Sequence, residues 1–356
     1  MSAIPKPAAQ PLLFRSAGED VAEIWRQPPP EPIPSGIEPL DRALNGGFMP
    51  ESLAVLCAGT GRGKTGLVVQ IALSWLALGR TVLFIETEMS KRQIYARCLA
   101  QIMGQPWIEV FRMGQPSADT LANVARRDLQ GLYLVRWDRS QEIGKILDNR
   151  PQSPSGPPLV ILDQISDVAR ASENADMRIA TARVTGNLKS LAEQHKTVVL
   201  AVSQTARFVT AQQRQARGGR DFEGAAKDAG EVETDAATVL YLESEPCPRE
   251  GFCMAQLHIA KSRGGSCNEV IRLRFHGAVG QFEPDTMAEL TADQRRVLDA
   301  IAALVGSTGY ASVPKLKAEL SMGQTLLSPL LGELVKTGHI HREARGIRLV
   351  NIAKQP

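Results

Sequence analysis

Four short segments of this chain are apolar almost without interruption: Ser52–Ala58 (SLAVLCA), Thr81–Ile85 (TVLFI), Leu159–Leu162 (LVIL) and Thr197–Val202 (TVVLAV). A strand with one face in water alternates apolar and polar residues, so an unbroken apolar run demands cover on both faces. The intervening stretches, such as Lys64–Leu78 and Asp176–His195, carry their apolar residues at helical spacing. Strands buried on both sides and joined by helices make a parallel sheet. After Ala236 the texture changes. ATVLYLE, MAQLHIAKS, EVIRLRF and VGQFE follow one another with turn residues between them, which predicts a run of antiparallel strands finishing the same sheet. The fold class expected is α/β, with a mostly parallel central sheet.

The flanks differ from this core. Residues 1–34 hold 8 of the 22 prolines, a composition that suits an extended arm. Within it, Ala17–Arg26 predicts a short helix with Val21, Ile24 and Trp25 on one side, marginal unless it docks on something. Residues 35–285 form the main domain. Residues 288–356 offer three helical patterns, Thr291–Leu304, Val313–Leu320 and Gly323–Val335, then the alternating tail HIHREARGIRLV. Three helices and a β wing describe a small C-terminal winged helix-turn-helix. A hydrophobic share of 43% supports a large core, yet no run approaches the ~18 apolar residues of a bilayer span. The first residues are broken by prolines rather than forming an apolar secretion signal. Five cysteines, an odd number with no CxxC pair, fit reduced thiols, and a cytoplasmic protein is expected.

The most informative stretch comes directly after the first apolar strand: Ala58, Gly59, Thr60, Gly61, Arg62, Gly63, Lys64 and Thr65. A glycine-rich loop between a strand and a helix, ending in Lys-Thr, is the context of a Walker A phosphate loop. Glycines let successive backbone N–H groups turn inward toward phosphate oxygens, and the helix after the loop adds its partial positive end. Lys64 would reach the β- and γ-phosphates of ATP, and Thr65 would place its hydroxyl on Mg²⁺. The first position of the usual pattern is Ala58 rather than glycine. Asp163 ends the apolar strand LVILD at the edge where parallel sheets bind ligands; it reads as a magnesium-holding carboxylate or as the N-cap of the next helix. Glu86 and Glu88 come after TVLFI. Two apart on an extended chain they face the same way, so spacing does not choose between them as the group that activates water. Gln204, ending TVVLAVSQ, reads equally well as a hydrogen-bond partner of a γ-phosphate or as a plain polar loop residue.

In this order the motifs resemble the RecA-like motor domain of DnaB-type hexameric helicases, over about residues 34–283. IPSGIEPLDRALNGGF is similar to the segment that precedes the phosphate loop in that family. Thr87-Glu88-Met89-Ser90 resembles its serine-leucine-glutamate-methionine motif, which implies Glu88 as the catalytic carboxylate. Leu162-Asp163-Gln164 resembles its Walker B segment, and Ser203-Gln204-Thr205-Ala206-Arg207 its serine-glutamine motif. Lys261-Ser262-Arg263 looks like the K-x-R element, which in the family reaches the γ-phosphate held by a neighbouring subunit. The resemblance implies a homo-oligomeric, hexameric ring that hydrolyses ATP with Mg²⁺ and moves along single-stranded DNA, 5′→3′. The resemblance does not extend to the family's N-terminal helical domain, and in this the chain is similar to compact RepA-like plasmid and phage helicases. The alternative is a RecA, RadA or KaiC-type ATPase that works on DNA without unwinding it.

Nucleic acid is expected at two places. Arg207, Arg214, Arg217 and Arg220 stand in a stretch with no acidic residue and the pair Gly218-Gly219. A basic, flexible loop grips a single-strand backbone without reading bases, and in RecA-like rings the loop at this position lines the channel. The C-terminal module carries nine Lys or Arg against six acids over 288–356. Its presumed recognition helix offers Gln324, Thr325 and Ser328 but little charge, so duplex DNA and a replication protein are equally good partners for it.

Overall fold

The computed structural model describes residues 16–151, 156–171, 176–204, 234–248, 251–285, 291–308, 311–336, 340–343 and 346–349. The chain divides into two compact units, Met1–Glu283 and Pro284–Pro356.

The first unit is built on a nine-stranded sheet among the described residues. Its strands are β1 (Ser52–Ala58), β2 (Val82–Glu86), β3 (Leu132–Arg136), β4 (Leu159–Asp163), β5 (Val198–Gln204), β6 (Thr238–Ser244), β7 (Cys253–Ser262), β8 (Glu269–His276) and β9 (Gln281–Pro284). Across the sheet they run β3-β2-β4-β5-β1-β6-β7-β8-β9. Strands β3 through β6 in that spatial order pair parallel, and β7 then reverses against β6 and β8 against β7. The antiparallel part thus begins one strand later than the sequence texture predicts, because β6 still enters alongside β1.

The strands alternate their side chains between two cores. Ala54, Leu56 and Ala58 of β1 join one cluster with α3 (Lys64–Ala77) and α4 (Lys91–Met103). Leu53, Val55 and Cys57 join the other with α9 (Met177–Gln194). Both faces are therefore covered, which is why β1 is buried along nearly its whole length. Smaller helices complete the first unit: α1 (Ala17–Ile24), α2 (Glu38–Ala43), α5 (Trp107–Arg112), α6 (Ala118–Asp128), α7 (Ile143–Asp148) and α8 (Ile165–Arg170). Residues before β1 are clamped to α3. Ile33 and Phe48 exchange backbone hydrogen bonds, Trp75 donates to the Pro34 carbonyl at 2.9 Å, and Phe48 meets the Trp75 ring edge-on at 6.0 Å.

The second unit contains α10 (Ala292–Thr308), α11 (Val313–Leu320), α12 (Gln324–Lys336) and an antiparallel pair, β10 (Ile340–Glu343) with β11 (Gly346–Leu349). Val297, Ile301, Leu316, Leu327, Leu331 and Ile347 meet in its small core. Ser312 caps α11 by accepting from the Lys315 amide, and Ala311 bridges to Ile347, tying the second helix to the hairpin.

One close approach fixes where α3 starts. A Cβ on Gly66 would lie 2.6 Å from the Gly280 carbonyl oxygen, and Gln101 donates to both the Gly66 and Gly280 carbonyls, at 2.9 and 2.7 Å. Because the obstacle is backbone, it cannot swing aside. Gly66→Ala is therefore expected to cost about 1–3 kcal/mol of unfolding free energy in urea titration; an unchanged midpoint and slope would contradict this packing.

Candidate active site

Parallel strands all end on one edge of the sheet, so the turns after β1, β2, β4 and β5 gather there. The loop after β1 holds Gly61 at φ +73° and Gly63 at φ +88°, both left-handed, whereas Gly59 is not in that region. Gly63 has a second requirement. A Cβ there would sit 2.8 Å from the Phe282 ring and 2.9 Å from that of Phe275, which stack on each other at 4.3 Å. The loop is also pinned from the side, Arg62 donating to the Ser244 carbonyl at 2.5 Å. Its last residues open α3, whose amino end faces the same space.

Lys64 and Thr65 are held by the sheet edge. Lys64 Nζ donates to the Ala58 and Gly59 carbonyls, each at 3.1 Å. Thr65 Oγ1 donates to Asp163 Oδ2 at 2.9 Å. Asp163 is not a helix cap, because Gln164 occupies that position for α8. Burial pushes the Asp163 carboxyl up to about 6, with the Thr65 hydroxyl and the Lys64 ammonium pulling it back. Burial likewise lowers the Lys64 ammonium, against the pull of Asp163 and Glu88. Gln204 Nε2 donates to Thr60 Oγ1 at 2.6 Å, which brings the end of β5 onto the loop.

Glu86 and Glu88 do not share a face. The strand stops at Glu86, and the next turn wraps the chain around its carboxylate: Oε1 accepts from the Glu88 and Met89 amides at 2.8 and 2.6 Å. Glu86 is 1% exposed, and its Oε2 has no hydrogen-bond partner among the described residues. Burial first, and Asp163 next, raise it to about 7. Glu88 is exposed at the mouth of the site, accepting from Gln164 Nε2 at 3.3 Å.

A residue outside every sequence motif also belongs here. Arg97 lies on α4 among the buried positions Ile94, Ala96, Cys98 and Leu99, where an arginine is out of pattern. Its guanidinium stacks 4.0 Å from the Trp107 ring centroid. Burial lowers its pKa while Glu86 and Asp163 raise it, and Nη1 is buried with no hydrogen-bond partner among the described residues. A cleft of about 1040 Å³ runs past Lys64, Thr65, Arg97, Trp107, Arg112 and Phe275. Positive groups and free N–H donors facing a cavity of this size suit a polyanion.

Lys261 and Arg263 are placed elsewhere. Both donate to the Thr234 carbonyl, at 3.5 and 3.4 Å. The Arg263 amide bonds to Ala237, whose own amide bonds to Leu53 at the start of β1. Five residues of strand separate Leu53 from Ala58, so Arg263 anchors about 17 Å along the sheet from the loop of its own chain. Arg207, Arg214, Arg217 and Arg220 lie outside the described residues.

Comparison with known proteins respects the same division. The family model for the DnaB-like helicase C terminal domain matches residues 32–284. The replicative DNA helicase DnaB of Geobacillus stearothermophilus is 26% identical over 254 residues, covering 67% of this chain and 53% of that protein. The DNA repair protein RadA of Mycobacterium tuberculosis is 34% identical over 104 residues, 29% of this chain and 22% of that protein. The chain thus spans about half the length of the DnaB relatives it matches. Among solved structures, an isolated ATPase domain superimposes with a TM-score of 0.61 at 18% identity, covering 76% of this chain and 98% of that one. A DnaB-like replicative helicase, solved in a study of its interactions with primase, gives 0.59 at 20% identity, covering 76% and 68%. At that identity the structures establish a common RecA-like fold.

The buried carboxyls carry a pH signature in the metal-free protein. Glu86 titrates at 4.5 ordinarily and at about 7 here, so between those values the folded chain holds a proton that the unfolded chain has released. Its stability contribution is complete below 4.5 and is lost as pH rises through about 7; Asp163 acts in the same direction. Urea-unfolding free energy in EDTA is expected to fall across that window. Glu86→Gln keeps an acceptor for the two amides and should flatten the fall. An identical slope in the variant would contradict the assignment.

Proposed function

The chain belongs to the DnaB-like helicase C-terminal domain family, and on that basis we propose that it is an ATP-hydrolysing DNA helicase motor that works as a ring of identical subunits. The observation that carries this reading is the convergence of Lys64, Thr65, Asp163 and Gln204 on one glycine loop, with Glu88 open to solvent beside them.

In this reading the loop amides and Lys64 bind the β- and γ-phosphates. Gly59, Thr60, Gly61, Arg62 and Gly63 form the cradle, and Arg97 offers its free guanidinium N–H to the same anion. Thr65 and Asp163 present two hard oxygens side by side, a donor set that fits Mg²⁺. When bound, that ion neutralises charge on the phosphate oxygens. Glu88 orients the attacking water and takes its proton as the water oxygen bonds to the γ-phosphorus and ADP departs. Gln204 moves its hydrogen bond from Thr60 to the γ-phosphate, reporting its presence to the polypeptide beyond β5. That polypeptide contains Arg207, Arg214, Arg217 and Arg220, which would hold the single-strand backbone.

Lys261 and Arg263 are too far along the sheet to serve their own nucleotide, which supports a role on the neighbour's. A guanidinium supplied across an interface stabilises charge on the transferred phosphoryl group, so turnover would require assembly. The exposed apolar residues Val21, Ile24 and Trp25 on and beside α1 suit burial in such an assembly. A hexameric ring, 5′→3′ movement and service to a plasmid, phage or other mobile element rest on the family resemblance. The C-terminal unit is read as a winged helix that docks duplex DNA or a replication protein.

The match to RadA favours a second reading, a DNA-associated ATPase that does not unwind. A forked-duplex assay separates them: strand release with ATP supports the first, and ATP turnover without release supports the second. Lys64→Ala is expected to lower ATP turnover by about 10²-fold or more. Arg263→Ala should leave nucleotide binding near normal while removing the stimulation by single-stranded DNA. Full stimulated turnover in that variant would defeat the across-interface assignment.

A further inference from the structure

Cys247, which lines the cleft, and Cys253 near it are two thiols that the phosphate chemistry does not use. Cys247 comes after β6 and Cys253 begins β7, so they flank the turn of one hairpin, which is closed below them by the Glu245 amide bonding to the Met254 carbonyl. Cys247 donates its S–H to the Phe275 carbonyl at 3.1 Å. Cys253 is the strand partner of that same Phe275. Both side chains pack into the same core cluster and both meet Phe275, which places them on one side of the hairpin, as a disulfide requires. Gly277 makes room for the pair: a Cβ there would lie 3.0 Å from Cys247 Cβ and 3.1 Å from its sulfur. The remaining cysteines are arranged differently. Cys57 and Cys98 are buried, and Cys267 is exposed.

Cys247 also touches function. It lines the cleft with Lys64 and Thr65, and the carbonyl it holds belongs to Phe275, whose ring lies against Gly63 of the phosphate loop. We propose that Cys247 and Cys253 form a reversible redox pair, closed to an intramolecular disulfide by peroxides, and that closure weakens nucleotide binding in the adjoining cleft. The partly exposed Cys247 reacts first. Its thiolate attacks one peroxide oxygen, the O–O bond breaks, and the departing oxygen leaves as water, giving a sulfenic acid. The Cys253 sulfur then attacks the Cys247 sulfur, the S–O bond breaks, and that oxygen leaves as water with the remaining thiol proton. Two thiols and one hydrogen peroxide thus become a disulfide and two waters, the two electrons passing from sulfur to oxygen. The disulfide sulfur has no hydrogen to donate, so Phe275 loses its bond from Cys247 and the stacked rings lose their anchor beneath Gly63.

The binding half of this proposal rests on the nucleotide reading of the cleft; the thiol half does not. The test uses the full chain carrying Cys267→Ser, which removes the exposed thiol that would cross-link copies. After hydrogen peroxide and alkylation, trypsin cuts at Arg249, between the two cysteines. The expected result is a pair of peptides joined through Cys247 and Cys253 and separated by dithiothreitol. Titration with a fluorescent N-methylanthraniloyl ATP should then show affinity about fivefold weaker than in the reduced protein, the loss of one hydrogen bond. Adding Cys253→Ser should abolish both the joined peptides and the peroxide effect on affinity. Alkylation of both cysteines after peroxide, or bridges only between chains, would overturn the redox pair. Joined peptides with unchanged affinity would overturn the coupling. Failure of the reduced protein to bind the ATP analogue would count against the nucleotide reading, while the joined peptides would still establish the pair.

Discussion

The hydrogen bond from Thr65 to Asp163 ties together the two strand ends on which the site is built. Thr65 stands in the first turn of α3, and Asp163 ends β4, two strands away across the sheet. That bond has a short path only because β1, β5 and β4 run parallel and in register, Ala58 opposite Gln204 and Val202 opposite Asp163. Every other group at the site depends on the same edge. Lys64 folds back to the carbonyls at the end of β1, and Gln204 reaches Thr60 from the end of β5. A one-residue slip in any of these strands would turn the whole set to the wrong face.

Charge at this edge is balanced at a cost in solvation. Glu86 and Asp163 are both buried, adjacent in register, and both pushed upward in pKa. Lys64 and Arg97 are drawn toward them but are themselves lowered by burial. Four ionisable groups with unused hydrogen-bonding capacity on Glu86 and Arg97 make a site that is poor as a structural ion network. An anion and a divalent cation entering together would satisfy what the protein leaves open. Glu86 then acts through the backbone, fixing the turn from which Glu88 projects.

The antiparallel half of the sheet is a support for the loop. Phe275 and Phe282 stack beneath Gly63, Gly280 meets Gly66 backbone to backbone, and Ser244 holds Arg62. The strands that come last in the unit therefore set the position of a loop that comes near its beginning. The same strands carry Lys261 and Arg263 away to the opposite edge, since β7 runs against β6. Strand direction alone separates the edge that holds the glycine loop from the edge that holds Lys261 and Arg263.

The parallel strands and the glycine-rich loop after β1 were legible in the order of residues. Burial on both faces leaves an unbroken apolar run, and a loop that turns through left-handed backbone leaves glycines at 61 and 63 before Lys-Thr. Strand β3, LYLVR, left no such mark, because an edge strand is covered on one side: Leu132 and Leu134 are buried while Tyr133 is 43% exposed. Glu86 and Glu88 stayed equivalent along the chain, since only the turn at Thr87–Ser90 gives one two amide donors and the other solvent. Arg97 and the Phe275–Phe282 floor acquired their places only when the chain had folded. Their roles arise from contacts with Trp107 and Gly63, and contacts made across the sheet leave no periodic trace along the chain.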